Sequence, residues 1–159
     1  MESKQFVLED GTSIQIRRMV TEDAESVSVL EKEAFSMPWS KEAFISTIQS
    51  KDAFYVVAEL DGEIVGCCGV INACGDGDIS NVSVKESLRG KGIGKAMVST
   101  LLTWAESIGV ENYTLEVRAG NERAIRLYES LGFVGEGIRP GFYDKPKEDA
   151  LIMWKRQQA

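Results

Sequence analysis

The stretch Arg89–Lys95, R-G-K-G-I-G-K, constrains this chain more than any other. It sets three glycines and three basic residues side by side in a protein whose formal net charge is -7. Upstream, Ile79–Val84 (I-S-N-V-S-V) alternates like a strand. Downstream, Met97, Val98, Leu101, Leu102, Ala105 and Ile108 form an apolar stripe that predicts a helix from about Gly92 to Ile108. Glycines between a strand and a helix let backbone N–H groups approach an anion, and the helix N-terminus adds partial positive charge. Arg89, Lys91 and Lys95 contribute formal charge of the same sign. The plain alternative for a glycine cluster is a flexible turn with solvated lysines.

Two familiar phosphate motifs fail at this position. The P-loop G-x-x-x-x-G-K-S/T is broken because Ala96 follows Gly94-Lys95 and Arg89 stands where the first glycine belongs. The dinucleotide fingerprint G-x-G-x-x-G accepts Gly90 and Gly92 but meets Lys95 at its third glycine, and this turn does not follow the first strand. The spacing Q/R-x-x-G-x-G/A is satisfied by Arg89, Gly92 and Gly94.

The rest of the chain alternates strands and helices. Ser13–Met19 reads as a strand, with Thr21 as the N-cap of a helix carrying Ala24, Val27, Leu30 and Ala34 on its apolar face. Pro38 breaks the chain, and Ser40 caps a second helix reaching Ile48. Ala53–Leu60 and Glu63–Ala73 are strands joined by the hairpin signal Asp61-Gly62. The run C-G-D-G-D marks a second turn before the strand Ile79–Val84. Asn112–Arg118 alternates again, Asn121 caps a helix ending near Leu131, and strands follow around Phe133–Ile138 and Ala150–Lys155. This order predicts one α/β (mixed α+β) domain over residues 1–159, a mixed sheet covered by helices.

Composition narrows the chemistry. The chain has no histidine, which removes Ser-His-Asp and Cys-His catalysis and His-based metal sites, so any acid or base must come from Asp, Glu, Tyr, Lys, Cys or a terminus. Its three cysteines, Cys67, Cys68 and Cys74, fit no zinc spacing and read as buried reduced thiols. The acidic balance argues against nucleic acid as a partner and suits a cationic one. Apolar stretches fall short of the roughly 18 residues of a membrane span, and the N-terminus lacks the apolar core of a signal peptide, so a cytoplasmic location is expected.

Beyond the glycine-rich turn, the blocks F-S-M-P-W-S (35–40), I-S-N-V-S-V (79–84), L-E-V-R-A-G-N (115–121), A-I-R-L-Y-E-S-L-G-F (124–133) and E-D-A-L-I-M (148–153) fall in order along nearly the whole chain. Together they resemble the GNAT superfamily of acetyl-CoA-dependent N-acetyltransferases, and within it the bacterial ribosomal-protein-alanine (RimI-like) enzymes. The resemblance implies a mostly antiparallel sheet of about six to seven strands flanked by about four helices. It implies acetyl-CoA as co-substrate, no metal, and a protein N-terminus as acceptor, the N-terminal alanine of a small-subunit ribosomal protein.

The resemblance also distributes roles. Amide formation from a thioester needs a proton taken from the amine, an oxyanion stabilised, and a thiolate that can leave. Glu116 is implied as the proton acceptor, although alternation alone allows a half-exposed strand residue. Tyr128 is implied as the proton donor to the departing sulfur, although its spacing with Ala124, Leu127 and Leu131 equally describes a core tyrosine. Val82, Ser83 and Val84 would offer strand backbone to the pantetheine arm and acetyl carbonyl, through a bulge or splay. Arg89, Gly90, Lys91, Gly92, Ile93, Gly94 and Lys95 would hold the pyrophosphate. Asn121 would add a polar contact while capping its helix, or cap alone. Trp39 is open between a peptide-facing anchor and a loop plug. Phe142-Tyr143 replaces the more usual pair of tyrosines, which leaves the acceptor open. The rival expectations are a small amine, such as a polyamine or an aminoglycoside-like compound, and a non-catalytic acyl-CoA sensor.

Overall fold

The structure is a computed structural model in which residues 2–157 are described. Eight strands form one sheet: β1 (Ser3–Val7), β2 (Ser13–Arg18), β3 (Ala53–Leu60), β4 (Glu63–Ala73), β5 (Asp76–Val84), β6 (Asn112–Arg118), β7 (Val134–Tyr143) and β8 (Glu148–Lys155). Their spatial order is β1-β2-β3-β4-β5-β6-β8-β7. Every neighbouring pair is antiparallel except β5 and β6. Four α-helices accompany the sheet: α1 (Ala24–Ala34), α2 (Lys41–Ile48), α3 (Ile93–Trp104) and α4 (Glu122–Ser130).

The mixed, mostly antiparallel sheet with four helices matches the expected architecture, with one strand beyond the expected count. That strand is β1, an edge strand whose residues stay largely exposed, so its sequence carries no buried alternation to betray it. Central strand β3 shows the opposite pattern. Phe54, Val56 and Ala58 face one layer while Ala53, Tyr55 and Val57 face the other, so all six are buried. An unbroken apolar run is what a strand covered on both faces requires.

Helix α3 covers one face, with Ile93, Met97 and Leu101 packed in a cluster that includes Val56, Val70, Ile79 and Leu115. Helices α1 and α2 cover the other through Val27, Leu30 and Phe44 against Tyr55, Val57 and Cys67. Adjacent Cys67 and Cys68 therefore point into opposite layers as buried free thiols, whereas Cys74 is exposed in a turn, contrary to its expected burial. Trp39 packs on Phe44 with ring centroids 5.4 Å apart and on Tyr55 at 6.5 Å, which makes it part of the second core.

Local chemistry fixes the ends of these elements. Asp61-Gly62 and Cys74-Gly75 both carry two consecutive positive φ angles, so each forms a two-residue hairpin. The second turn is shorter than the C-G-D-G-D run, and Asp76, Gly77 and Asp78 already belong to β5. Ser40 caps α2 by accepting the Ala43 N–H at 3.1 Å. Thr21 does not cap α1. It opens a 3-10 turn over Thr21–Asp23, and the Asp23 carboxylate accepts the Val20 N–H at 2.9 Å and pairs with Arg17 at 2.8 Å. Burial pushes the Asp23 carboxyl up, but Arg17 and the Val20 N–H hold it below its ordinary value. The helix after the glycine turn is α-helical only to Trp104 and tightens into a 3-10 turn over Ala105–Ile108.

Two departures from regular pairing shape the sheet centre. Strand β5 pairs with β6 only through Asp76–Asn112, Gly77–Tyr113 and Asp78–Thr114. Against β4, Cys67 faces Ser83 while Gly69 faces Ser80, so Asn81 and Val82 both stand opposite Cys68. This is a β-bulge, and Asn81 adopts a left-handed φ of 59° within it. Beyond Asp78 the two strands part into a fork.

Close packing beside the bulge yields a stability prediction. A Cβ on Gly69 would collide with the Tyr55 ring, whose hydroxyl is bonded to Asn81. Gly69→Ala is expected to destabilise the fold by about 3 kcal/mol. A urea unfolding midpoint equal to that of the wild type would contradict this account.

Candidate active site

The glycine-rich turn lies at one end of the fork, between β5 and α3. Gly90 and Gly92 have φ angles of 79° and 90°, a conformation open to glycine and costly for other residues. A Cβ on Gly92 would also stand 3.2 Å from the Phe6 ring. The first helical bond runs from the Ala96 N–H to the Gly92 carbonyl at 3.0 Å, so the N–H groups of Ile93, Gly94 and Lys95 precede the helical ladder. Lys91 and Lys95 are exposed, and neither is in an ion pair among the described residues. Backbone donors, left-handed glycines and unpaired cations together fit a pyrophosphate.

Arg89 also has a partner within the protein. Its Nε donates to the Val84 carbonyl at 2.9 Å, tying the turn to the end of β5. A further cation arrives from a residue that the motif does not include. The Arg123 guanidinium, in the first turn of α4, lies 3.4 Å from where a Gly90 Cβ would be. Asn121 caps α4 by accepting the Ala124 N–H at 3.2 Å. The N-terminus of α4 thus borders the turn, which the linear spacing of the motif does not reveal.

Inside the fork, β5 has no strand partner on its β6 side after Asp78. Backbone groups of residues 79–83 directed away from β4 therefore have no partner strand, while the Val84 carbonyl is taken by Arg89. Val82 and Val84 pack toward the α3 layer. Ser83 is 4% exposed, and its hydroxyl has no hydrogen-bond partner among the described residues.

Opposite β5, Glu116 shares a face of β6 with Thr114 and Arg118, all three half-buried between buried Leu115 and Val117. The Arg139 guanidinium of β7 approaches the Glu116 carboxylate at 3.6 Å while remaining 52% exposed. Asp78, the last β5 residue paired to β6, faces the same side as Thr114. Its carboxyl is pushed up to about 6 by crowding from surrounding protein and by the Glu116 charge, with Arg139 opposing. Tyr143 is pushed up to about 12, first by burial and then by Glu116, with Arg118 opposing. Arg118 stacks on the Tyr143 ring at 4.5 Å and donates to the carbonyls of Pro146 and Asp144 at 2.9 and 3.1 Å. It thereby pins the β7–β8 turn over this face. Ser36, in the α1–α2 connection, donates to the same Asp144 carbonyl at 3.3 Å and closes the rim.

Tyr128 is 7% exposed and packs edge-on against Phe133 with centroids 5.8 Å apart. Burial raises the pKa of its hydroxyl well above the ordinary phenol value, and the Cys68 thiol and Tyr143 phenol add to the rise. Tyr143 thus acts on Tyr128 and is itself acted on by Glu116. Asp78 and Arg139 were not distinguished in the sequence. Asp78 looked like turn material in C-G-D-G-D, and Arg139 gave no local signal.

A strand fork with a glycine-built turn on one side and a carboxylate on the other offers separate places for an anionic and a cationic group. Residues 24–133 match the model of the acetyltransferase (GNAT) family, and the chain belongs to that family as an N-acetyltransferase. It is 33% identical over 144 residues to a Bacillus subtilis protein named provisionally as a ribosomal protein bS18-alanine N-acetyltransferase, covering 90% of this chain and 95% of the relative. It is 31% identical over 140 residues to the Escherichia coli ribosomal protein bS18-alanine N-acetyltransferase, covering 87% and 94%. The crystal structure of the ribosomal-protein-S18-alanine N-acetyltransferase from E. coli superposes with a TM-score of 0.82 at 29% identity, covering 92% of this chain and 96% of that one.

The raised pKa of Asp78 leads to a prediction. An acid that holds its proton more tightly when folded loses stability as it ionises, here between about 4 and about 6. Asp78→Asn is expected to raise the Tm at pH 7.5, modestly because the side chain still meets solvent, with the gain vanishing below pH about 4. A gain of the same size at pH 3.5 would show that charge is not its cause.

Proposed function

We propose that residues 1–159 act as one domain that transfers an acetyl group from acetyl-CoA directly to the N-terminal amine of a protein. The N-terminal alanine of a small-subunit ribosomal protein is the acceptor best supported. The observation that carries this reading is the fork: β5 loses its β6 partner after Asp78, the glycine-rich turn follows the end of β5, and Glu116 lies further along β6. The names of the B. subtilis and E. coli relatives support the acceptor.

In this reading Gly90–Lys95 bind the pyrophosphate through N–H groups and the Lys91 and Lys95 charges. Arg89 shapes the turn, and Asn121 fixes the start of α4 beside it. Val82, Ser83 and Val84 present main-chain groups to the pantetheine arm and thioester carbonyl. Glu116 accepts the proton of an α-ammonium whose pKa is about 8, a modest demand that one water can relay. Arg139 neutralises Glu116 until the acceptor's cation takes its place. Tyr128 returns a proton to the thiolate as it departs. A phenol held protonated by burial stays a donor at working pH and yields its proton only to a thiolate formed beside it.

The paired charges of Asp78 and Glu116 also favour a small polyamine as a second reading, since they form an acidic mouth with one exposed arginine opposing them. Incubation with acetyl-CoA and an alanine-starting ribosomal peptide, followed by mass spectrometry, separates the two. Acetylation of the peptide N-terminus is expected. Rapid turnover of a polyamine with an unmodified peptide would sink the N-terminal reading, and acetyl-CoA binding with no amine modified would favour a sensor. Glu116→Gln is expected to lower kcat on the order of a hundredfold while leaving acetyl-CoA affinity unchanged. Undiminished turnover would remove Glu116 from proton transfer.

A further inference from the structure

One buried acid takes no part in the chemistry above. Glu31, on the inner face of α1, is 3% exposed and has no cationic partner among the described salt bridges. Its Oε1 accepts from Asn81 Nδ2 at 2.9 Å, while its Oε2 has no hydrogen-bond partner among the described residues. The Asn81 Oδ1 in turn accepts from the Tyr55 hydroxyl at 2.8 Å and the Ser80 hydroxyl at 2.9 Å. Both ends of the Asn81 amide are thus occupied, and this is the residue whose backbone is left-handed in the β5 bulge.

A carboxylate buried with an unsatisfied oxygen does not stabilise a core; an apolar side chain of similar size would serve better. Burial accordingly raises the pKa of Glu31, with the Asn81 amide opposing. The Trp39 backbone N–H also opposes the rise. Glu31 therefore faces the acetyl-CoA side of the fork through Asn81 and the acceptor-side α1–α2 connection through Trp39.

We propose that Glu31 is a positioning residue: it clamps Asn81 in its left-handed conformation, holds the β5 bulge open, and so sets the main-chain groups of Val82 and Ser83 that meet the thioester. This rests on the reading of the bulge as the thioester site. Because Glu31 is out of reach of substrate, its effect passes through the shape of β5.

The test measures turnover of the amine that the wild type acetylates, acetyl-CoA affinity, and the backbone amide resonances of Asn81–Ser83. Glu31→Ala is expected to lower kcat about tenfold with acetyl-CoA affinity unchanged, and to shift those resonances. Glu31→Gln still offers an oxygen to Asn81 and is expected to restore both. In an Asn81→Gly background, where glycine takes the left-handed backbone unaided, Glu31→Ala is expected to add no further loss. If the alanine variant does not fold, Asn81→Asp reads the same contact by setting a second carboxylate against Glu31. Resonances that stay in place overturn the proposal whatever the turnover, as does a loss carried by acetyl-CoA affinity. Resonances that move while kcat holds overturn the reading of the bulge as the thioester site.

Discussion

The separation of β5 from β6 is the constraint on which the rest of the molecule depends. Strand β5 is committed to β4 along nearly its whole length, and β6 is committed to β8 from Tyr113 to Arg118. Only three residue pairs join the two halves of the sheet. Each strand follows its own antiparallel neighbour, and sheet twist carries them apart. The bulge at Asn81 bends β5 further and reverses which residues face α3, with Ile79 before it and Val82 and Val84 after it. Because the β5–β6 pair is parallel, the chain must cross over between them, and α3 is that crossover. The fork therefore comes with a helix N-terminus at its rim, and the glycines make that terminus accessible.

Charge is divided across this opening. Lys91, Lys95 and Arg123 gather where the turn exposes N–H groups, while Asp78 and Glu116 gather on the other rim. A net charge of -7 does not conflict with binding a polyanion, because the positive field is confined to one turn. In the proposed reaction, the same arrangement would separate an anionic donor from a cationic acceptor before either reaches the fork. Arg118 and Ser36 both bond the Asp144 carbonyl, so the β7–β8 turn is held from β6 and from the α1–α2 connection together.

Much of this was legible in the sequence where local physics decides. Alternation exposed β2 and β6, the hairpin signal Asp61-Gly62 marked the end of β3, the stripe Met97, Val98, Leu101 and Ala105 exposed α3, and the side chains of Ser40 and Asn121 marked caps that the structure retains. Features set by tertiary contact were hidden. Asn81 sits in N-V-S-V, where nothing local demands a left-handed backbone; its cause is Glu31, fifty positions away. Yet Glu31 left a trace, since it falls four residues after Val27 on the apolar face of α1. A charged residue in a buried stripe signals a polar partner across the interface. Thr21 misled because Asp23, better placed, already held the Val20 N–H and Arg17.

The motif arginine shows how a correct pattern can be assigned an incomplete physical role. Positive charge beside glycines reads as a counter-ion for phosphate, yet the Arg89 Nε is bonded to the Val84 carbonyl. That bond fixes the last residue of β5 against the turn that follows. A main chain opened for a ligand loses its own pairing, and it holds its shape only if side chains replace the missing restraints. Glu31 does this at the bulge and Arg89 at the strand end, so the stretch from Asn81 to Val84, which lacks a partner strand on its β6 side, is restrained at both ends. The two side-chain bonds thus take the place of the ladder that β5 lacks on its β6 side.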